Sequence, residues 1–249
     1  ALRSSSPPDA ARGVRKMQIV VAGEDSLGAA TDPSISPDGT QIAYHCGGFV
    51  WIRNFDDLVP RRIAEATPEV SPFWSPDGAF LGFATIGRVW KVSAAGGEPT
   101  PICDAPHNFG GGGGASWGTD GKVVFTSGSG GIHEVAASGG DARELLPIDP
   151  TLEQDFHTPV ALPDGKGVLA VQHRLRFGPD TILLIVGSER RDVLTLEGQN
   201  INSLAYSTTG HILYSRLPDN PGLWALPFSV ESLAVTGEPF LVAPQSRAG

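Results

Sequence analysis

The chain has 249 residues, enough for one all-β domain or two small ones. Its 40% hydrophobic and 18% charged content excludes a disordered tail. Acidic residues exceed basic ones 27 to 18, for a formal charge of −9, and no basic cluster breaks that excess, so nucleic acid is not the expected partner. Glycine (32) and proline (21) are abundant without a collagen period; that many chain-reversing residues calls for many turns between short strands.

The chain opens on Ala1 rather than Met and is expected to be a fragment or a processed product; its first residues carry no apolar leader. Residues 1–16, with Ser4 to Ser6, Pro7, Pro8 and four basic residues, read as a flexible linker, and residues 17–249 as one repeat domain. A first strand is read at Met17 to Val21. Then comes the marker Ser36-Pro37-Asp38-Gly39, repeated as Ser75-Pro76-Asp77-Gly78. Weaker copies follow at Gly118-Thr119-Asp120-Gly121, Leu162-Pro163-Asp164-Gly165 and Ser207-Thr208-Thr209-Gly210. The closing glycines are 39, 43, 44 and 45 residues apart, the period of a four-stranded propeller blade. Proline presets φ, aspartate binds neighbouring backbone, and glycine accepts the left-handed conformation that ends a tight turn. Asp38, Asp77, Asp120 and Asp164 are therefore read as turn-makers with Gly39, Gly78, Gly121, Gly165 and Gly210, not as metal ligands or acids.

Each marker precedes an apolar second strand: Gln41 to Cys46, Phe80 to Thr85, Lys122 to Ser127, Gly167 to Val171 and His211 to Arg216. Third strands are read at Phe49 to Phe55, Arg88 to Ser93, Gly131 to Ala136, Thr181 to Val186 and Gly222 to Phe228. Trp51, Trp90 and Trp224 share one slot in three of these, and His133 fills it in the third unit, so His133 reads as a packed ring rather than a ligand. Outer strands are read at Pro101 to Asp104 and Arg143 to Leu146. The strands opening the later units are read at Val70 to Trp74, Ala115 to Trp117, Thr158 to Leu162 and Asn202 to Tyr206. The expected fold is all-β, a β-propeller of four-stranded blades, with five blades visible of a six-bladed ring that ends early at the C-terminus. Cys46 and Cys103 are expected as buried free thiols.

Catalytic signatures are missing. His133-Glu134 begins an HExxH pattern, but Ala137 stands where the second histidine belongs. The glycine run Gly110 to Gly114 precedes no helix, which argues against a dinucleotide site. There is no GxSxG elbow and no kinase catalytic set, and no two of the six histidines have metal-ligand spacing. No catalytic residue, metal or cofactor is therefore expected. The longest aliphatic run, Ile182 to Val186, is too short to span a bilayer, so no membrane insertion is expected in this segment. Function is expected on loops at one end of the ring, through His107, Asn108, Phe109, His157, Arg174, Arg176 and Phe177, with Glu69, Asp155 and Phe156 beside them.

The repeats resemble those of TolB-type, WD40-like propellers, whose hallmark is the Ser-Pro-Asp-Gly turn. A narrower resemblance runs from about residue 14 to 243, through Phe73 to Gly78, Val89 to Pro99, Cys103 to Pro106, Ala115 to Trp117 and Leu233 to Pro239. These segments are similar to the C-terminal propellers of bacterial transmembrane serine/threonine protein kinases. The third and fifth units depart from the marker, with Gly118-Thr119 for Ser-Pro and Thr208-Thr209 for Pro-Asp. The resemblance implies a non-catalytic sensor or interaction module, placed extracytoplasmically beyond a membrane helix, that takes a protein or small-molecule ligand. Two other readings share the fold: a stand-alone TolB-like scaffold, and the gating propeller of a prolyl-oligopeptidase-type peptidase.

Overall fold

In the computed structural model, residues 33–66, 71–85, 87–105, 113–126, 130–175 and 178–245 are described. They form five antiparallel sheets that follow one another in chain order. Blade one contains β1 (Ser34–Ile35), β2 (Gln41–Cys46), β3 (Phe49–Asn54) and β4 (Arg61–Glu65). Blade two contains β5 (Phe73–Trp74), β6 (Phe80–Thr85), β7 (Arg88–Ser93) and β8 (Thr100–Asp104). Blade three contains β9 (Ala115–Trp117), β10 (Lys122–Thr126), β11 (Ile132–Ala136) and β12 (Arg143–Leu146). Blade four contains β13 (Glu153–Ala161), β14 (Val168–Arg174), β15 (Asp180–Val186) and β16 (Glu189–Leu196). Blade five contains β17 (Asn200–Ser207), β18 (His211–Leu217) and β19 (Gly222–Ser229), with β20 (Ala234–Val235) and β21 (Phe240–Pro244) both pairing with β19.

One blade has two apolar faces, and stacking covers them. Four buried clusters join blades one and two, two and three, three and four, and four and five. Among the described residues no such cluster joins blade five to blade one. The largest cluster packs Leu169, Val171, Ile182 and Leu184 of blade four on Ile201, Ile212, Tyr214 and Phe228 of blade five. The third-strand slot is a cross-strand pairing site, with Trp51 opposite Tyr44, Trp90 opposite Phe83 and Trp224 opposite Tyr214. His133 sits opposite Phe125 and stacks on it, with ring centroids 5.4 Å apart, as a packed ring should. Both cysteines are buried and neither forms a disulfide; burial, with the charge of Asp104 beside it, pushes the Cys103 thiol up to about 11.

The structure has the five four-stranded blades that the repeats predict, arranged in a ring. One central cavity touches the inner strands of all five blades. The linker at 1–16 and the strand at 17–21 lie outside the described residues. Among the described residues no helix is long and apolar enough to cross a membrane.

Candidate functional site

The marker turns set the geometry of the channel. In the first two, the Ser36 and Ser75 hydroxyls each donate to the following aspartate (Asp38 and Asp77) at 2.6 Å. That aspartate accepts the N–H of Thr40 or Ala79, and the serine oxygen accepts the N–H that starts the second strand, Gln41 or Phe80. These donors hold the Asp38 and Asp77 carboxyls below their ordinary pKa, the serine hydroxyl first and the turn amide next. Gly78 closes its turn with φ +70°, and its N–H donates to Ser75 O at 2.9 Å. Gly39, Gly121 and Gly210 make the same closure. The fourth turn differs: Pro163–Gly165 is a single 3-10 turn with both Asp164 and Gly165 at positive φ, and the Asp164 N–H donates to Thr119 of the neighbouring turn.

Each turn returns the chain from an inner strand, so the residues just ahead of it ring the axis. Ile35, Trp74, Trp117, Ala161 and Tyr206 occupy this equivalent position in the five blades, and all five line one cavity of about 660 Å³. Three marker prolines, Pro37, Pro76 and Pro163, line it as well. Trp74 donates its indole N–H to Ser34 O of blade one, and Trp117 stacks on Phe80 at 6.3 Å, which fixes both rings. Among the described lining residues there is no Asp, Glu, Lys, Arg or His. The wall is aromatic, aliphatic and proline-rich, with hydroxyls from Ser34, Ser71, Ser116, Thr119, Thr158, Tyr206 and Thr208. Such a surface takes up uncharged or aromatic groups and offers hydrogen bonds to orient them. Among the described lining residues there is no acid–base pair for proton transfer.

A second polar cluster lies in blade four, at the opposite end of β13. Polar residues Glu153, Asp155 and His157 hide the apolar alternation there, and the pairing is irregular between Glu153 and Asp155 and between His157 and Val160. The sequence pattern therefore starts this strand at Thr158 and puts Asp155, Phe156 and His157 on a loop. Instead all three belong to β13: Phe156 is fully buried, while Asp155 sits opposite His173 and His157 opposite Val171. Asp155 Oδ1 lies 3.0 Å from His157 Nε2 and 3.1 Å from His173 Nδ1. His173 Nε2 lies 3.3 Å from the buried Asp180, whose Oδ2 also accepts the Ile201 N–H of blade five. Asp180, ahead of the opposing effect of burial, raises the His173 pKa above its ordinary value.

Of the remaining sequence candidates, Arg174 is exposed at the end of β14, not in the long loop expected from Gln172 to Asp180. His107, Asn108, Phe109, Arg176, Phe177 and Glu69 lie outside the described residues. The expectation that no histidines have metal-ligand spacing holds along the chain but fails in space, because strand pairing brings His157 and His173 to one carboxylate. The axial ring was missed too. Its signal is visible in the sequence, since large apolar residues precede the marker in four of the five units.

Fold and channel together define a β-propeller similar to those of the TolB type. No family model matches the chain, and no curated protein does. Among solved structures, TolB from Acinetobacter baumannii aligns with a TM-score of 0.64 at 16% identity, over 80% of this chain and 52% of that one. The chain thus spans about half the length of that protein. A putative TolB from Agrobacterium tumefaciens aligns at 0.62 and 14% identity, over 80% of this chain and 77% of that one. Virginiamycin B lyase from Staphylococcus aureus aligns at 0.63 and 14% identity, over 87% and 71% respectively. Identities this low show the fold alone, and the presence of a lyase among them means that fold does not separate a binding module from an enzyme.

Proposed function

We propose that this chain is a non-catalytic recognition module that binds an uncharged or aromatic group, from a small molecule or a protein segment, in its axial channel. The observation that carries this is the wall itself: equivalent apolar positions of all five blades converge on a cavity of about 660 Å³ whose described lining has no acid, base or cation. That volume falls within the ~300–1,000 Å³ typical of ligand pockets. The finer reading, a sensor domain of a bacterial serine/threonine kinase on the extracytoplasmic side, rests on the resemblance of Phe73 to Gly78 and Val89 to Pro99 to that family. It is tested by the gene on either side of this segment, where a kinase and a membrane helix should precede it.

The binding claim is tested by filling the channel. Ala205 is exposed and lines the cavity, so Ala205→Trp obstructs it without disturbing the blade interior. A library of neutral aromatic fragments and short uncharged peptides, screened by thermal shift, should give binders to the wild type that Ala205→Trp loses at unchanged melting temperature. Binders that bind both proteins equally would place recognition elsewhere. Turnover of peptide, ester or phosphoryl substrates by rigorously purified chain would contradict the non-catalytic part.

A further inference from the structure

The Asp155, His157 and His173 cluster follows from β geometry. Alternate residues of a strand share a face, so Asp155 and His157 point the same way from β13; residues opposite one another share a face too, which adds His173 from β14. That face is turned to blade five, since Asp180 and His173 both approach Ile201 of β17. The three donor atoms, Asp155 Oδ1, His157 Nε2 and His173 Nδ1, all lie within 4.8 Å of one another.

Hydrogen-bond roles sharpen the picture. His173 Nε2 faces two acceptors, Asp180 Oδ2 at 3.3 Å and Ile201 O at 3.5 Å, so it carries the ring proton. In its neutral form the ring therefore presents the Nδ1 lone pair to Asp155 Oδ1, 3.1 Å away. Asp155 Oδ1 is shielded from solvent, and neither ring nitrogen meets it with hydrogen-bond geometry. Electron-rich atoms at this spacing repel unless a positive charge sits between them. Bonds of ~2.0–2.2 Å from one metal ion place neighbouring donors ~3.0–3.5 Å apart, the separation of Asp155 from each ring. The Asp180 carboxylate completes a carboxylate–histidine–metal relay, holding His173 in the tautomer that ligates through Nδ1.

We infer that Asp155, His157 and His173 form a binding site for a divalent first-row transition metal ion, supported by Asp180, at the junction of blades four and five. Two imidazoles and one carboxylate are the donor set of a facial site that leaves further positions for water or a ligand. The imidazole donors favour zinc, cobalt, nickel, copper or iron over calcium and magnesium, which prefer all-oxygen sites. The site is distinct from the axial channel and stands whether or not the channel binds anything.

The test uses the whole chain after treatment with a chelator, titrated calorimetrically with zinc and followed optically with cobalt. The expected result is saturable binding of about one equivalent with a Kd of roughly 10 µM or tighter. His157→Gln and His173→Gln should each weaken binding at least tenfold, Asp180→Asn by roughly 10- to 100-fold, and His211→Gln not at all. Absence of saturable binding, or binding by the His157 and His173 variants at wild-type strength, overturns the site and leaves a shared proton as the bridging charge. Should a variant fail to fold, the wild type decides: bound cobalt should shift the imidazole resonances of His157 and His173, and a different pair shifting would overturn the assignment.

Discussion

Gly82 offers a measure of how tightly the blades are built. It lies in β6 directly opposite Phe73 of the inner strand β5, with the Phe73 ring laid over its Cα. A Cβ added there would sit 2.2 Å from two ring carbons, where an ordinary contact is at least ~3.4 Å. The backbone at Gly82 is ordinary strand, so the destabilising effect of Gly82→Ala is steric, offset in part by the lower unfolded-state entropy of alanine. The ring would have to move by about an ångström, yet it is buried among Ala84, Val89 and Ile102, with the Trp117 ring 6.5 Å away. Overpacking of this kind costs about 1–3 kcal/mol. At roughly 2–4 °C per kcal/mol for a chain of this size, a central value of ~2 kcal/mol lowers the melting temperature by about 4–8 °C. Calorimetric melts of wild type, Gly82→Ala, Phe73→Leu and the double variant should show coupling of about 1 kcal/mol, because Leu lacks the atoms that collide. A Gly82→Ala melt within a degree of wild type, or strictly additive single changes, would refute this packing.

The remaining predictions concern the turns and one buried ion pair. Gly78→Val should destabilise by about 1–3 kcal/mol, since a β-branched residue is strained at φ +70°, whereas Ala79→Val at the exposed neighbouring position should stay within about 0.5 kcal/mol; thermal melts decide. Asp38 and Asp77 have lowered pKa values when folded, so their contribution is complete above the ordinary carboxylate range and is lost as pH falls through the folded values. The Asp38→Asn, Asp77→Asn double variant should therefore melt below wild type near neutral pH, with the gap closing as pH falls below about 4. Glu153 is buried beside Arg190, and its other partners are Gln172 and the Asp149 N–H. Because those partners remain, Arg190→Ala should cost about 2 kcal/mol, below the ~3–5 kcal/mol of a fully stranded buried charge, and Glu153→Gln should recover part of it in denaturant titrations.

The repeat architecture was legible because the turn chemistry is local. Proline, aspartate and glycine act within four residues, so the marker, its period and the strands after it can be read directly from the chain, and even the degenerate turn at Ser207 to Gly210 keeps its closing hydrogen bond. What stayed hidden depends on pairing. His157 and His173 lie on different strands, and only the register of β13 against β14 sets both beside Asp155. The start of β13 was missed because its residues alternate polar with buried in an irregular ladder, and the charged Glu153 is buried there by partners distant in sequence. The axial ring failed for another reason. Ile35, Trp74, Trp117 and Tyr206 look like ordinary strand residues until five inner strands converge, which makes one sequence position a shared wall. The outermost strand of blade five is split between Val235 and Phe240, a break that no turn marker announces.

The chain contains five tryptophans, and they divide by place. Trp74 and Trp117 line the axial cavity, while Trp51, Trp90 and Trp224 sit on the third strands of their blades, with their indole N–H groups held by Cys46 O, Thr85 Oγ1 and Asn220 O. Two-dimensional NMR of the indole N–H resonances, recorded during titration with a fragment retained by the wild type, therefore tests recognition in the channel directly. Binding there shifts the Trp74 and Trp117 signals and leaves the other three in place. Shifts confined to Trp51, Trp90 or Trp224, with Trp74 and Trp117 unmoved at saturation, would contradict it.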